Sequence, residues 1–269
     1  MALSRNGQKK HEIIEAQNFK VVKSNDLIQK SRFSLSLQEQ KIILYLISKI
    51  KPEDMELYEH TFDIKDFCQV CGLDYDSGKN YKNIKTTLKT LRDKSMWVEI
   101  EPGTETTLAW ISSVSLTKKS GVVKIKLDDK MKPYLIQLQE KFTQYELMYT
   151  LAMRSQYSIR LYELLKSYEY RHGHTFTVEE LKVRLSAENY DRFHDFQRKV
   201  IDIAVREINE LSDIAVTCTM IKVGRSYTKI KFGVKLKKDF NERMRAWQQI
   251  ESRLSTNKKS IGGAGQQKK

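Results

Sequence analysis

The sequence predicts an α+β fold in which two tandem winged-helix domains are related by internal duplication. Each half of the chain carries, in the same order, a helix, a short strand, two further helices and then strands that can form a hairpin. The apolar spacing of the two halves superimposes, and 40% of the 269 residues are hydrophobic, which is enough to build cores. This order of elements is typical of a winged helix.

The first half opens with a helix over residues 37–47 that has a broad apolar face. Ser36 and Glu39 have the spacing of a capping box at its start. Residues 58–64 alternate in polarity like a short strand, and Asp63 is expected to cap the helix that follows it. The rest of this half is predicted as a helix over 76–94 and strands over 96–100, 107–116 and 122–127.

The second half repeats the order. A helix over 157–170 precedes a short strand, and Thr177 with Glu180 has capping-box spacing for the next helix. Asp191 is expected to cap a longer helix that reaches about residue 211. Strands over 214–223 and 229–236, joined at residues 224–226, complete the half. The repeat is visible in the apolar positions, since Phe62, Ile64 and Phe67 correspond to Phe176, Val178 and Leu181.

These patterns divide the chain into two domains with a tail at each end. We expect a disordered tail over 1–18, a first winged-helix domain over 19–128 and a second over 129–240. A basic, flexible tail is expected over 241–269, where seven basic and two acidic residues give a net charge of +5. At its start, however, Met244, Trp247 and Ile250 have helical spacing.

The charge balance predicts a polyanionic partner. Lys and Arg number 48 against 34 Asp and Glu, a formal net charge of +14, and nucleic acid is the first candidate for such a chain. Three Cys residues do not make a disulfide framework, which fits a reducing cytoplasm. Because no run approaches the ~20 apolar residues that span a bilayer, a cytoplasmic protein without membrane contact is expected.

The long helix of the second half is the candidate for reading bases. Its apolar residues share one face, and its basic residues lie on the other side and at its flanks. Arg can donate two hydrogen bonds to guanine, so a basic outer face suits a helix in the major groove. Asp195 and Asp202 favour the alternative, a solvated charged face. The candidate base-reading residues are Arg192, His194, Arg198, Lys199 and Arg206.

The hairpin that follows favours DNA over that alternative. Residues 214–238 contain seven basic residues and no acidic one, whereas surfaces that serve only solubility mix both signs. Charge of one sign beside a helix suits phosphate contact. The candidate wing and phosphate-binding residues are Lys222, Arg225, Ser226, Lys229 and Lys231.

The first half has a weaker pattern of the same kind. Lysines favour phosphate contact over base reading, because the ammonium group acts as a point charge. The alternative is a basic helix that serves solubility alone. The candidate phosphate-binding residues of the first domain are Lys79, Lys82 and Lys85 on its long helix, and Lys118 and Lys119 at its wing tip.

The chain resembles the iteron-binding plasmid replication initiators over about residues 19–238. The strings that carry the resemblance include Arg-Leu-Tyr-Glu-Leu-Leu at 160–165 and Ala-Val-Arg-Glu-Ile-Asn at 204–209, which are specific in combination. They also include residues 22–28, 37–42, 176–181 and 221–225. Ile203 stands where many members of the family have proline, a difference expected to alter the helix locally.

The resemblance implies a partner and a division of labour. The partner would be double-stranded DNA with repeated origin sites, read by the second domain while the first holds phosphates and makes dimer contacts. A homodimer would regulate, and a monomer would initiate by opening AT-rich DNA and recruiting host helicase and initiator. From the residues, the edges of the strands around Thr107 to Val114 are the expected dimer surface.

Two other functions stay open, and no cofactor, catalytic residue or metal is expected. The alternatives are a winged-helix transcriptional regulator, which would bind a lone palindrome, and a nicking rolling-circle initiator, which would cleave DNA. Cys68 and Cys71 lack the second ligand pair that a structural zinc needs, and His172-Gly-His174 is interpreted as a polar loop. The sequence has no G-x-x-x-x-G-K-[ST] phosphate-binding loop.

Overall fold

The computed structural model describes residues 19–51, 53–71, 78–117 and 121–262; the predicted N-terminal tail lies outside them. The first part of the chain forms β1 (Lys20–Ser24), α1 (Asn25–Lys30), β2 (Ser31–Arg32), α2 (Leu37–Ile47), β3 (His60–Asp63), α3 (Ile64–Cys71), α4 (Gly78–Arg92), β4 (Ser95–Glu101), β5 (Thr104–Ala109), β6 (Ile111–Thr117), β7 (Val122–Leu127) and α5 (Lys132–Leu135).

The second part follows with β8 (Phe142–Glu146), α6 (Leu147–Leu151), α7 (Gln156–Lys166), β9 (Gly173–Thr177), α8 (Val178–Leu185), α9 (Phe193–Phe196), a π-helical turn (Gln197–Ile201), α10 (Asp202–Leu211), β10 (Ile214–Val223), β11 (Ser226–Leu236) and α11 (Phe240–Gly262). We call the continuous helix over residues 193–211 the composite helix. Both halves thus show the predicted order of elements, and the α+β class with two winged helices is confirmed.

Local signals correctly predicted where α2 and α3 begin. Ser36 and Glu39 form the capping box of α2, with the Glu39 amide donating to Ser36 Oγ at 3.3 Å and the Ser36 amide donating to Glu39 Oε2 at 2.7 Å. The Lys65 amide donates to Asp63 Oδ1 at 2.7 Å, so Asp63 caps α3 as expected.

The strand predicted over residues 107–116 is two strands. Trp110 is 1% exposed and packs edge-to-face on Phe33 at 4.9 Å, so the chain turns inward there. As a result, β5 is the edge of a sheet with the order β2-β4-β5, and β6 is the edge of a second sheet with the order β3-β7-β6. The physical reason is the burial of one indole ring, which interrupts an otherwise continuous alternation.

The wing sheet of the second half has the order β10-β11-β9.

Of the two helix caps predicted in the second half, one is confirmed: the Glu180 amide donates to Thr177 Oγ1 at 3.1 Å, so Thr177 caps α8. Asp191 does not cap the composite helix: the residue that precedes its first turn is Arg192, which makes no side-chain cap hydrogen bond. The prediction placed the start of this helix one residue too early.

Buried polar contacts join the two halves. Strand β1 pairs antiparallel with β8, from the other side of the predicted domain boundary. Lys23 Nζ lies 2.5 Å from Glu163 Oε1, and the Tyr145 hydroxyl donates to the same oxygen at 2.5 Å. Burial lowers the pKa of Lys23 and raises that of Tyr145. An Arg160 guanidinium N–H donates to the Ser31 carbonyl at 2.8 Å. Buried polar contacts and a shared pair of strands therefore join the halves.

The chain does not become a flexible tail at residue 241. Residues 240–262 form α11, which packs against α10 and α6 with Ala246, Ile250 and Leu254 buried. The predicted spacing of Met244, Trp247 and Ile250 identified the helix, but Met244 and Trp247 are 41% and 39% exposed. No helix in the described part of the chain has the length and apolarity needed to cross a membrane.

Candidate nucleic-acid interface

The composite helix has one buried face and one exposed basic face. Phe196, Val200, Ala204, Ile208 and Leu211 are completely buried and fix the helix to its domain. All five candidate base-reading side chains are exposed to solvent: Arg192, His194, Arg198, Lys199 and Arg206. The geometry therefore leaves these side chains available to a ligand, as a helix in the major groove requires.

Asp195 holds two of these side chains on the helix surface. Its Oδ1 lies 3.2 Å from Lys199 Nζ and 3.9 Å from Arg198 Nη2. The hydrogen bond from Lys199, together with the nearby positive charges, lowers the pKa of Asp195. Arg198 and Lys199 also belong to the π-helical turn, a local widening that is common at functional sites.

Asn209 is on the same helix but does not serve the outer face. Its side-chain amide donates to the Val216 carbonyl at 2.9 Å, and its Oδ1 accepts from the Val216 amide at 2.7 Å. Asn209 therefore ties the helix to β10. Helical periodicity alone places Asn209 on the polar side of the helix, where an amide could recognise a base. Its contact with β10 shows that the amide is already used.

The wing is the hairpin of β10 and β11, and it carries exposed positive charge. In the register, Thr219 lies opposite Lys231 and Ile221 opposite Lys229, followed by an irregularity at Lys222. Gly224 takes the left-handed conformation at the tip, with φ of 62°. All five candidates on this hairpin are exposed: Lys222, Arg225, Ser226, Lys229 and Lys231.

Lys237 counts among the seven basic residues of the hairpin segment but is not part of the exposed charge. It is 8% exposed, and its Nζ donates to the carbonyls of Asn209 at 2.6 Å and Ser212 at 2.8 Å. Burial lowers its pKa. Because those carbonyls end the composite helix, Lys237 acts as a C-terminal cap and leaves fewer charges for a ligand than the sequence suggests.

An aromatic contact that sequence reasoning missed links the helix to the wing. The rings of Phe193 and Tyr227 stack with centroids 4.4 Å apart and planes 18° apart. Lys222 Nζ lies 4.5 Å above the Tyr227 ring. The signal available in the sequence was a tyrosine in a basic hairpin tip, but its pairing depends on how the hairpin folds back over the helix start.

The first-domain candidates are placed only in part. Lys82 and Lys85 are exposed on α4. The side chain of Lys79, and residues Lys118 and Lys119, lie outside what the structure describes. Of the first-domain candidates, the structure therefore places two, Lys82 and Lys85.

The cysteine and histidine motifs have structural roles where they are described. Cys68 is buried in the core, and the Cys71 side chain lies outside the described part. His174 is not in a polar loop: it lies in β9 and stacks on Tyr168 at 4.1 Å, while His172 occupies the turn before it with φ of 58°. Across the described residues, no three His, Cys, Asp or Glu side chains group to hold a metal ion.

Comparison with known proteins identifies two matching family models. The model described as Initiator Replication protein, WH1, matches residues 20–166, and the model described as Initiator Rep protein, WH2, matches residues 177–234. The composite helix and most of the wing lie within the second match. Residues beyond 234, including α11, lie outside both matches.

Two curated relatives come from Escherichia coli. The chain is 28% identical to the PI protein over 141 residues, which cover 45% of this chain and 46% of that protein. It is 25% identical to a replication initiation protein over 230 residues, which cover 80% of this chain and 69% of that protein. The match thus spans about half the length of the first relative and about two thirds of the second.

A solved structure shows the same fold. The Pi initiator protein, crystallised in complex with iteron DNA, superimposes with a TM-score of 0.64 and 21% sequence identity over 83% of this chain and 99% of that chain. Since the first family model alone matches more than half of the residues and the second matches the other winged helix, the chain belongs to the family of initiator replication proteins.

Proposed function

We propose that this chain is a plasmid-type replication initiator that binds repeated origin sequences, promotes opening of the origin and recruits host replication proteins. The observation that carries the proposal is the exposed basic face of the composite helix beside a wing that has no acidic residue. Membership in the initiator family and the likeness to Pi, a protein crystallised with iteron DNA, support it. The proposed action is binding without catalysis or a cofactor.

Within this proposal, the two domains have different tasks. The second domain reads bases through Arg198, Lys199 and Arg206, with Arg192 and His194 at the start of the helix. The wing holds phosphates, because exposed lysine and arginine side chains suit contacts that carry no sequence information. Lys82 and Lys85 hold phosphates from the first domain.

The proposal includes two assembly states. A dimer joined through the free edges of β5 or β6 suits an inverted repeat, because a two-fold protein matches a two-fold site. Tandem direct repeats instead require monomers in a head-to-tail arrangement. The monomer would therefore be the initiating form and the dimer the regulating form.

Selection from a random-sequence duplex library tests the proposal. We expect the chain to enrich duplexes that carry one sequence motif. A duplex with this motif is called the selected duplex, and its control is a scrambled duplex of the same composition. Footprinting on DNA that flanks its own gene should then find this motif as tandem direct repeats beside an AT-rich stretch. A lone palindrome at a promoter would instead establish a transcriptional regulator. Metal-dependent nicking of supercoiled DNA carrying the footprinted region would establish a rolling-circle enzyme.

A further inference from the structure

The two ends of the composite helix are held by different elements. Its start is held by the wing, through the stack of Phe193 on Tyr227. Its last turns contact α11, an element that lies beyond both matched family models. The contact is made by an ion pair as well as by apolar packing, and that ion pair reaches a buried carboxylate.

The buried carboxylate is Glu207, which is 4% exposed on α10. It accepts hydrogen bonds from the Arg154 amide at 3.0 Å and the Ser155 amide at 3.2 Å. Ser155 is the N-cap residue of α7, so Glu207 connects the composite helix to the start of another helix. A buried charge is costly without charged or hydrogen-bonded partners, and these two amides supply only part of what it needs.

Arg253 of α11 completes the set of partners. Its Nη1 lies 3.1 Å from Glu207 Oε1, and its Nη2 lies 2.6 Å from Glu210 Oε2. One guanidinium thus bridges two carboxylates about one turn apart on α10. A planar fork can do this with two nitrogens, whereas an ammonium group offers a single nitrogen. The buried apolar face of α11, formed by Ala246, Ile250 and Leu254, holds the helix against the domain and so keeps Arg253 in place.

We infer that Arg253 is a positioning residue that fixes the rotation of α10 and thereby the direction of Arg206, the exposed neighbour of Glu207. The inference rests on the proposed function, because it assigns Arg253 a part in sequence recognition without contact to DNA. In this role, α11 supports the DNA-reading surface from behind without forming part of it.

The test compares Arg253→Ala with Arg253→Lys and with Arg243→Ala, which removes the same charge from an exposed position of the same helix. Two measurements are made on the full chain: hydrogen–deuterium exchange of residues 205–211 without DNA, and affinity for the selected and scrambled duplexes across a salt series. For Arg253→Ala we expect faster exchange and a selected-to-scrambled affinity ratio that falls about fivefold or more, the discrimination of one base contact. The salt slope of Arg253→Ala, which is the change of log affinity with log salt concentration, should stay unchanged. Arg253→Lys should be intermediate in exchange rate and in affinity ratio, and Arg243→Ala should keep the wild-type ratio.

Three outcomes would overturn the inference. If exchange in Arg253→Ala matched that in Arg243→Ala, Arg253 would not hold α10. If exchange rose but the affinity ratio stayed at the wild-type value, its role would be structural only; Arg253→Lys checks this where the alanine variant folds poorly. If the salt slope fell by about 1, Arg253 would contact a phosphate directly. If the wild-type chain selects no duplex, the proposed function fails, whereas the exchange measurement still decides whether Arg253 holds α10.

Discussion

Arg198 and Lys199 converge on the carboxylate of Asp195, and this raises the question of whether they are free to bind DNA. Both pairs are solvent-exposed, with Arg198 65% and Lys199 50% exposed. Exposed ion pairs contribute only ~0–1 kcal/mol, whereas a good contact between arginine and guanine contributes ~1–3 kcal/mol of discrimination. In the proposed complex, contacts with DNA therefore replace those with Asp195, which lies beside the two side chains in the free protein.

Replacing single residues should separate base reading from phosphate holding. Arg198→Ala should cost ~1–3 kcal/mol on the selected duplex and relax the preference at one or two base pairs. Lys229→Ala should weaken the selected and scrambled duplexes about equally and lower the salt slope by about 1. Anisotropy titrations and a repeated selection measure both. An unchanged preference in Arg198→Ala would mean that another face of the helix reads DNA.

The Cys218 thiol should resist alkylation in the native protein. Burial in β10, and secondarily the charge of Asp202, raises its pKa to about 12 from an ordinary value of 9.0. Since the thiolate is the reactive form, iodoacetamide at pH 8 should modify Cys218 at least ~100-fold more slowly than in the urea-unfolded chain. Peptide mass spectrometry distinguishes it from the other cysteines. Comparable rates in both states would contradict this burial.

The same shift has a consequence for stability at high pH. Because the native pKa lies above the unfolded one, the unfolded chain loses the Cys218 proton first as pH rises through about 9. Deprotonation therefore favours unfolding between pH 9 and 12, and the contribution disappears when the thiol is replaced.

At the scale of elements, the wing sheet depends on a close approach at Gly173. This glycine lies opposite Gly233, where β9 joins β11, with φ of 133°. A Cβ at this position would lie 2.0 Å from the Phe232 carbonyl oxygen. Gly224, at the hairpin tip, also has positive φ, but a Cβ there would meet nothing within 4 Å. Substitutions at the two glycines therefore distinguish the cost of a left-handed backbone from the cost of a steric clash.

Gly173→Ala should destabilise the protein more than Gly224→Ala does. The second change should cost ~1–2 kcal/mol, from the left-handed conformation alone. The first adds a clash with backbone that cannot move without breaking the pairing of β9 with β11. Urea denaturation measures both free energies of unfolding. Equal losses would mean that β9 can shift without cost.

At the scale of the whole molecule, the net charge of +14 predicts a steep response to salt. If 6–10 lysines and arginines contact phosphates, affinity for DNA should fall by ~10³–10⁵ between 50 and 200 mM salt, because bound counterions are released. Titrations of the scrambled duplex at several salt concentrations measure the slope. A flat response would remove the electrostatic basis of the proposed function.

Assembly should depend on the type of repeat. A substitution at Ser112 would not test the proposed dimer edge cleanly, because its hydroxyl lies 3.3 Å from the carbonyls of both Lys126 and Leu127 and can donate to either. Thr107 is exposed on β5, so Thr107→Glu adds charge to the edge itself. It should weaken binding to an inverted repeat of the selected motif and spare direct repeats, with Thr61→Glu on edge strand β3 as the control. The measurements are the affinity for each type of repeat and the mass of each complex. An equal loss of affinity on both types of repeat would contradict the two assembly states.

Features that depend on neighbouring residues could be predicted without a structure. The capping box of Ser36 and Glu39, the caps at Asp63 and Thr177, and the turn at Gly224 involve groups at most three residues apart. The apolar and basic faces of the composite helix followed from helical periodicity in the same way. These short-range patterns were sufficient for the shared order of helices and strands in the two winged helices and for the exposure of the candidate base-reading residues.

Contacts between residues distant in the chain determine which polar side chains are available to a ligand and where the chain passes from one sheet to the next. Trp110 splits one predicted strand because it packs on Phe33. Asn209 and Lys237, two polar residues on the predicted helix and hairpin segments, are not available to a ligand because they bond backbone groups of neighbouring elements. Arg253 lies in a segment predicted to be flexible, yet it meets Glu207. Each outcome depends on contacts between residues that periodicity does not relate, because burial and pairing free energies are set by which surfaces meet after folding.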